Sequence, residues 1–303
     1  MLYRKIRSYI DAHLRSNEDK ILLIEGARQI GKSYIIRDVG TELYDNYVEI
    51  NFVEDDAGDK IFRNVRTTEE FYLNLSMVAG FKLDKYENTL VFIDEIQHYP
   101  QFLTMLKFLR QEHRYRFICS GSLLGIALKK TVSVPVGSII PKKMYQLDFE
   151  EFLIANDFGE DAIVHLRKSF EQKQPLAPEV HDKVLSLFKR YLLVGGMPDA
   201  VNEYLNSHNI VKVREAQESI RELYGVDASR YEEDAAKKLY IRRIYDMIPS
   251  QMENKKKRIV AKDILDRKGD RFSNYMEEFE YLINSGITIA SNAISNPKYP
   301  LAE

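Results

Sequence analysis

The pattern of apolar and polar positions changes character near residue 155. Before it, short continuous apolar runs alternate with helix-periodic stretches. After it, helical spacing dominates and no strand-like run is evident as far as Met252.

Residues 3–15 place Tyr3, Ile6, Tyr9, Ile10 and Leu14 near helical spacing and predict an amphipathic helix. "KILLIE" (20–25) predicts a short buried strand and 33–43 a helix. "NYVEINF" (46–52) predicts a second strand, and 58–79 reads as largely helical. "TLVFIDE" (89–95) is a continuous apolar run ending in two carboxylates, the pattern of a central parallel strand with chemistry at its C-terminal tip. A helix over 100–113, a buried strand over 115–122, a fifth strand over 142–148 and the helix "FEEFLIAND" follow. Strands alternating with helices predict a three-layer α/β sandwich with a parallel sheet.

Beyond it, the break at Gly195-Gly196 and Pro198 predicts a turn between helices. Helices over 235–248, 259–266 and 271–285, then extended "ITIASNAI", read as a winged helix-turn-helix. The expected division is an α/β core over 1–155, a helical lid subdomain over 156–232 and a winged-helix-like region over 233–303.

Composition narrows the setting. With 45% apolar and 30% charged residues in 303, the chain can bury sizeable cores beneath a solvated surface. A net charge of −2 provides no global basic field for nucleic acid or anionic membrane. No apolar run is long enough to span a bilayer, so no membrane contact is expected. A single cysteine, Cys119, and no secretory leader point to the cytoplasm. Cys119 lies inside an apolar run and reads as a buried small residue, not a nucleophile.

The candidate chemistry starts at "ILLIEGARQIGKS" (21–33), where an apolar strand runs into Gly26 and a helix begins near Lys32. Residues Gly26 to Gly31 can curl so that backbone N–H groups surround an anion. The helix adds its positive end, Lys32 a mobile cation for β- and γ-phosphates, and Ser33 a hydroxyl for Mg²⁺. Asp94 ends the acidic strand and would hold Mg²⁺, while Glu95 would deprotonate an attacking water. The strand 46–52, intervening in sequence, suits the P-loop branch in which an extra strand separates the two motifs. Ser120 and Ser122 end the neighbouring strand, either as contacts to the γ-phosphate and lytic water or as an ordinary turn.

"GARQIGKS", "VFIDEIQHYP", "ICSGSLLG", "MYQLDFEEFLIA", "YLLVGGMPDAV" and "IYDMIPSQM" occur in that order. Together they resemble the prokaryotic AAA+ ATPases of the archaeal-ATPase-like group, which carry an uncharacterised C-terminal domain. The resemblance covers nearly the whole chain and implies a P-loop NTPase that binds and hydrolyses ATP with Mg²⁺. It implies nucleotide contacts from Gly26, Gly31, Lys32 and Ser33; Ala27, Gln29, Ile30 and Tyr34 complete the expected nucleotide site, together with Arg28, which faces either solvent or phosphate. It places Mg²⁺ at Ser33 and Asp94, with catalysis by Glu95, Lys32 and the sensor position Ser120. Pro198 of "GGMP" would touch the base, or form a plain helix–helix turn. Two departures stand out. Family members often have Gly followed by Arg or Lys where this chain has Gly137-Ser138, which leaves hydrolysis at a neighbouring subunit's nucleotide without that cation. Relatives generally continue past "PLAE" into a nuclease-like domain, so no nuclease activity is expected of these residues.

A local DNA contact is the remaining partner question. "NKKKR" (254–258), Arg267, Lys268 and Arg271 would attract backbone phosphates across 254–271. Asp263, Asp266, Asp270, Glu277, Glu278 and Glu280 make the same region a mixed-charge face or a protein-docking wing. The functional readings are a nucleotide-driven switch or motor acting on DNA or a protein client, a non-hydrolysing nucleotide-gated module and, more distantly, a P-loop kinase; oligomerisation is compatible with each.

Overall fold

The computed structural model describes residues 2–83, 88–122, 137–229, 232, 234–253, 259–265 and 269–291. Its centre is one parallel sheet of five strands: β1 (Ile21–Glu25), β2 (Asn46–Asn51), β3 (Thr89–Asp94), β4 (Arg116–Gly121) and β5 (Ile139–Lys143). The spatial order is β2-β3-β4-β1-β5. Residues alternate between the two faces of each strand. Leu23, Val91, Ile93, Phe117 and Cys119 join one buried cluster with Phe71 and Leu106 of two covering helices, α4 (Thr68–Ala79) and α5 (Gln101–Glu112). Leu22, Ile24, Leu90 and Phe92 are equally buried on the opposite face. Every residue of β3 is therefore covered, which is why it reads as an unbroken apolar run.

A pair of helices packs on one side of the sheet, with α2 (Lys32–Leu43) against β2 and β3. α1 (Lys5–Arg15) packs against α2, and Arg7 donates to Asp38 at 2.8 Å and also pairs with Glu42. α2 begins at the C-terminal tip of β1, so the sheet and the α1–α2 pair hold it from both sides.

Three predicted elements move. A short helix, α3 (Phe52–Ala57), stands directly after β2, and of the stretch expected to be largely helical over 58–79 the α-helix is α4, from Thr68. Asn51 caps the first by accepting from the Val53 and Glu54 N–H groups. The Asp55 carboxylate then accepts from the Ile61 and Phe62 N–H groups and shapes the intervening turn. A capping box, Thr67 with Glu70, starts the second. The fifth strand lies at Ile139–Lys143 instead of 142–148, with Ile21 opposite Ile139 and Glu25 opposite Lys143. Its Pro141 reads as a strand breaker, yet an edge strand tolerates a missing N–H. The expected helix over 271–285 is a 3₁₀ turn (Phe272–Tyr275) followed by a helix over Met276–Asn284.

After β5 come α6 (Phe149–Ala155), α7 (Glu160–Glu171), α8 (Pro178–Val194), α9 (Pro198–Ser207) and α10 (Ile210–Asp227). Leu147, Phe152, Val194, Val201, Tyr204 and Val213 form the buried cluster of this helical stretch. The chain divides into two compact units, residues 1–221 and 222–303. Within the second, α11 (Ala235–Glu253), the single-turn α12 (Lys262–Leu265) and α13 (Met276–Asn284) enclose Ile241, Ile244, Ile264, Tyr275 and Leu282. No strand occurs among the described residues of this unit. The extended segment expected over 287–294 is described only to residue 291, and 254–258 and 266–268 lie outside the described residues. No helix among the described residues is long and apolar enough to cross a membrane.

Candidate functional site

The strand register brings three tips together. Ile24 of β1 lies opposite Ser120, and Ile93 of β3 lies opposite Cys119. β4 therefore stands between the loop strand and the acidic strand, with Ser120 level with Asp94. Functional groups at the carboxyl ends of a parallel sheet are the expected arrangement for this class.

The loop from Gly26 to Gly31 makes a tight reversal, with Gln29 and Gly31 both at positive φ. At Gly26 there is no room for a side chain, since a Cβ would sit 2.4 Å from the Met144 carbonyl oxygen. Ala27 and Ile30 turn inward and are buried, whereas Tyr34 is exposed on α2. Lys32 curls back over the loop, its Nζ donating to the Gly26 carbonyl at 3.0 Å and the Ala27 carbonyl at 2.7 Å. The ammonium is almost fully buried there, and burial pulls its pKa below the ordinary lysine range despite the nearby Glu95 and Asp94.

Asp94 is the centre of the polar network. Ser33 Oγ donates to its Oδ2 at 2.6 Å, Ser120 Oγ donates to its Oδ1, and the Glu95 N–H donates to Oδ1 at 2.9 Å. Burial raises the Asp94 carboxyl above its usual range, and the serine hydrogen bonds oppose that rise. Glu95 follows in the left-handed region, with φ 54°. Its carboxylate accepts from Gln97 Nε2 and, at 3.3 Å, from Ser122 Oγ. Gln97 also donates to Ser122 Oγ at 3.1 Å and accepts from the Ser122 N–H at 3.2 Å, while Arg28 Nε reaches the same hydroxyl at 3.4 Å. Cys119, one residue before Ser120, is fully buried, and burial holds its thiol well above the usual range.

A hydroxyl and a carboxylate side by side, next to a loop of backbone donors and a lysine, fit a hydrated Mg²⁺ carried by phosphates. No cluster of three or more His, Cys, Asp or Glu ligands occurs among the described residues, so a cage built from such side chains is not what the donor set offers.

Residues 18–153 match the family model described as an AAA domain. The N-terminal region of this chain is similar to AAA domains. Residues 185–300 match a second model, a domain of unknown function (DUF8612). No curated protein matches the sequence. Among solved structures, the Walker-type ATPase PABY2304 of Pyrococcus abyssi is similar over 94% of this chain and 90% of its own, at 14% identity and a TM-score of 0.57. The Saccharomyces cerevisiae Hsp104–ADP complex is 13% identical over 92% of this chain and 39% of its own, with a TM-score of 0.41. Caenorhabditis elegans PCH-2 is 14% identical over 71% of this chain and 68% of its own, with a TM-score of 0.34. Of the three, the Pyrococcus structure alone is similar enough to bear on the fold of this chain.

Two sequence expectations lie further from the loop. Pro198 is the first residue of α9, after a turn tied to the core by the Leu147 N–H, which donates to the Gly196 carbonyl at 2.8 Å. The connection from Pro198 to the loop runs through residues 144–147, since the Met144 N–H donates to Glu25 O at 2.7 Å. At Gly137-Ser138, Arg110 of α5 donates to the Gly137 carbonyl at 3.1 Å, so a cation stands at this turn although the sequence places none there.

Two site residues were missed. Gln97 binds both Glu95 and Ser122, and its signal was a polar residue two positions past the carboxylate pair. Arg4, ahead of α1, reaches the back of the loop, and nothing in helix periodicity marks it.

Proposed function

We propose that this AAA domain binds MgATP at the loop of residues 26–33 and hydrolyses it, driving a switch or motor. The observation that carries the reading is the 2.6 Å hydrogen bond from Ser33 Oγ to Asp94, which joins the first turn of α2 to the tip of β3. Ser33 and Asp94 would hold Mg²⁺, which when bound would neutralise charge on the β- and γ-phosphates. The backbone N–H groups at the start of α2 bind phosphate oxygens. Lys32 exchanges the Gly26 and Ala27 carbonyls for phosphate. Glu95 orients the lytic water and takes its proton, and Ser120 fixes the rotamer of Asp94. In this reading residues 156–232 act as the lid and Pro198 borders the base.

Phosphate release from MgATP tests it. Lys32→Ala should abolish binding, and Glu95→Gln should retain ATP while losing about a hundredfold or more in turnover, the scale of a removed general base. Equal turnover in wild type and Glu95→Gln would remove Glu95 from its role.

A second reading is a nucleotide-gated module that does not hydrolyse, and the engagement of Glu95 by Gln97 and Ser122 favours it. ATP binding without phosphate release in the wild type would select it. The expected DNA contact draws on residues 254–258 and 266–268 outside the described residues and on Arg271, which is exposed. Duplex DNA added to the same assay tests whether it alters turnover.

A further inference from the structure

A buried guanidinium sits behind the phosphate loop. Arg4 is 4% exposed and precedes the first turn of α1. Its Nη1 donates to the Ile30 carbonyl at 2.7 Å, its Nη2 to the Tyr145 carbonyl at 2.5 Å, and its Nε to Glu151 Oε2 at 3.3 Å. Glu151 is equally buried, and it also accepts from the Lys5 N–H at 2.7 Å and the Asp148 N–H at 3.1 Å. One fork-shaped cation thus bridges the loop, the segment after β5 and the first turn of α6.

The bond to Ile30 matters because of peptide geometry. The Ile30 carbonyl and the Gly31 N–H belong to one planar trans peptide and point in opposite directions. Holding the oxygen on the Arg4 side therefore turns the Gly31 N–H to the other side. Gly31 is the N-cap of α2, where backbone N–H groups converge on an anion. A free peptide at this point could rotate, and the donor would be lost from the cradle.

We propose that Arg4, backed by Glu151, is a positioning residue that presets the Gly31 N–H for the second phosphate of a nucleotide. The proposal rests on the nucleotide-binding reading above. It also gives the "LDFEEFL" stretch a physical task, because the Asp148–Glu151 capping box supplies the carboxylate that orients Arg4. Lysine cannot replace it, since an ammonium lacks the flat fork that serves three acceptors in different directions.

The test compares ADP with AMP on the full chain by calorimetry, for wild type, Arg4→Lys and Glu151→Gln. Arg4→Lys should weaken ADP binding by about tenfold, the worth of one net hydrogen bond, and leave AMP binding within about twofold. Glu151→Gln keeps an acceptor for Nε and should weaken ADP by about threefold, a fraction of that bond. Amide hydrogen exchange over residues 28–33 in the free protein should accelerate in both variants. ADP and AMP weakening together, or unchanged ADP affinity in folded Arg4→Lys, would overturn the assignment. Should Arg4→Lys fail to fold, unchanged ADP affinity and exchange in Glu151→Gln would do the same. Absence of ADP and ATP binding in wild type removes the nucleotide reading instead, and the exchange data then decide whether Arg4 holds the loop.

Discussion

Strand β3 and helix α8 are both rich in apolar residues, and they use them differently. All six residues of β3 are buried, between β2 and β4 and beneath helices. Of the seventeen residues of α8, the buried ones are Leu187 and Val194, and Leu192 and Leu193 stay 66% and 60% exposed. A strand inside a sheet has neighbours on four sides. A helix on the outer layer has cover along one stripe only. The candidate site sits at the tip of the fully covered element, where Asp94 is held by Ser33, Ser120 and the Glu95 N–H. The helices after residue 155 are held by a smaller core and by the Gly196–Leu147 link.

The sharpest challenge to this comparison is Phe92→Ala in β3, where the side chain is fully buried. Urea unfolding should register a loss of about 3–5 kcal/mol. A loss below about 1 kcal/mol would mean that the strand is not the rigid element described.

Gly196→Ala should rank second. A Cβ there would lie 2.2 Å from the Leu147 carbonyl oxygen, so backbone must shift. The expected destabilisation is about 1–3 kcal/mol, typical of overpacking. A neutral result would show the link to be dispensable.

A smaller effect concerns His13 on α1, whose pKa burial lowers, with Arg116 adding to the shift. The folded state resists protonation, so stability is intact above the unfolded histidine pKa of about 6.5 and declines as pH falls through it. The thermal midpoint should therefore drop more in wild type than in His13→Gln between about pH 7.5 and about 5.5. Parallel curves would remove His13 as the cause.

Smallest of all, Leu192→Ala on α8 should change stability by no more than about 0.5 kcal/mol. A loss comparable to Phe92→Ala would reveal that something covers this helix in solution.

Much of the sheet was legible because its signals were strong. The run ending at Asp94 and the strand before Gly26 are continuous apolar stretches with no competing periodicity. β5 lies a few residues before the expected 142–148, and its Pro141 is tolerated because β5 is an edge strand, which sequence does not announce. The start of α4 carries a visible cue, Thr67 three residues before Glu70. Ser33, Asp94, Glu95 and Ser120 could be named from motif spacing, and the structure gathers them at one place. Gln97 and Arg4 escaped because their roles depend on contacts between distant segments. The Arg4–Glu151 pair is separated by 147 positions, a distance that no local pattern encodes.

The seclusion of Cys119 has a practical corollary. It is the sole cysteine of the chain, it lies on the strand that separates the loop from the acidic tip, and its thiol is both hidden and hard to ionise. An alkylating reagent can reach it only when the layer of α4 and α5 lifts from this face of the sheet or the sheet itself unfolds. The rate of labelling is thus a built-in clock for those rare openings, readable by mass spectrometry without adding a single probe.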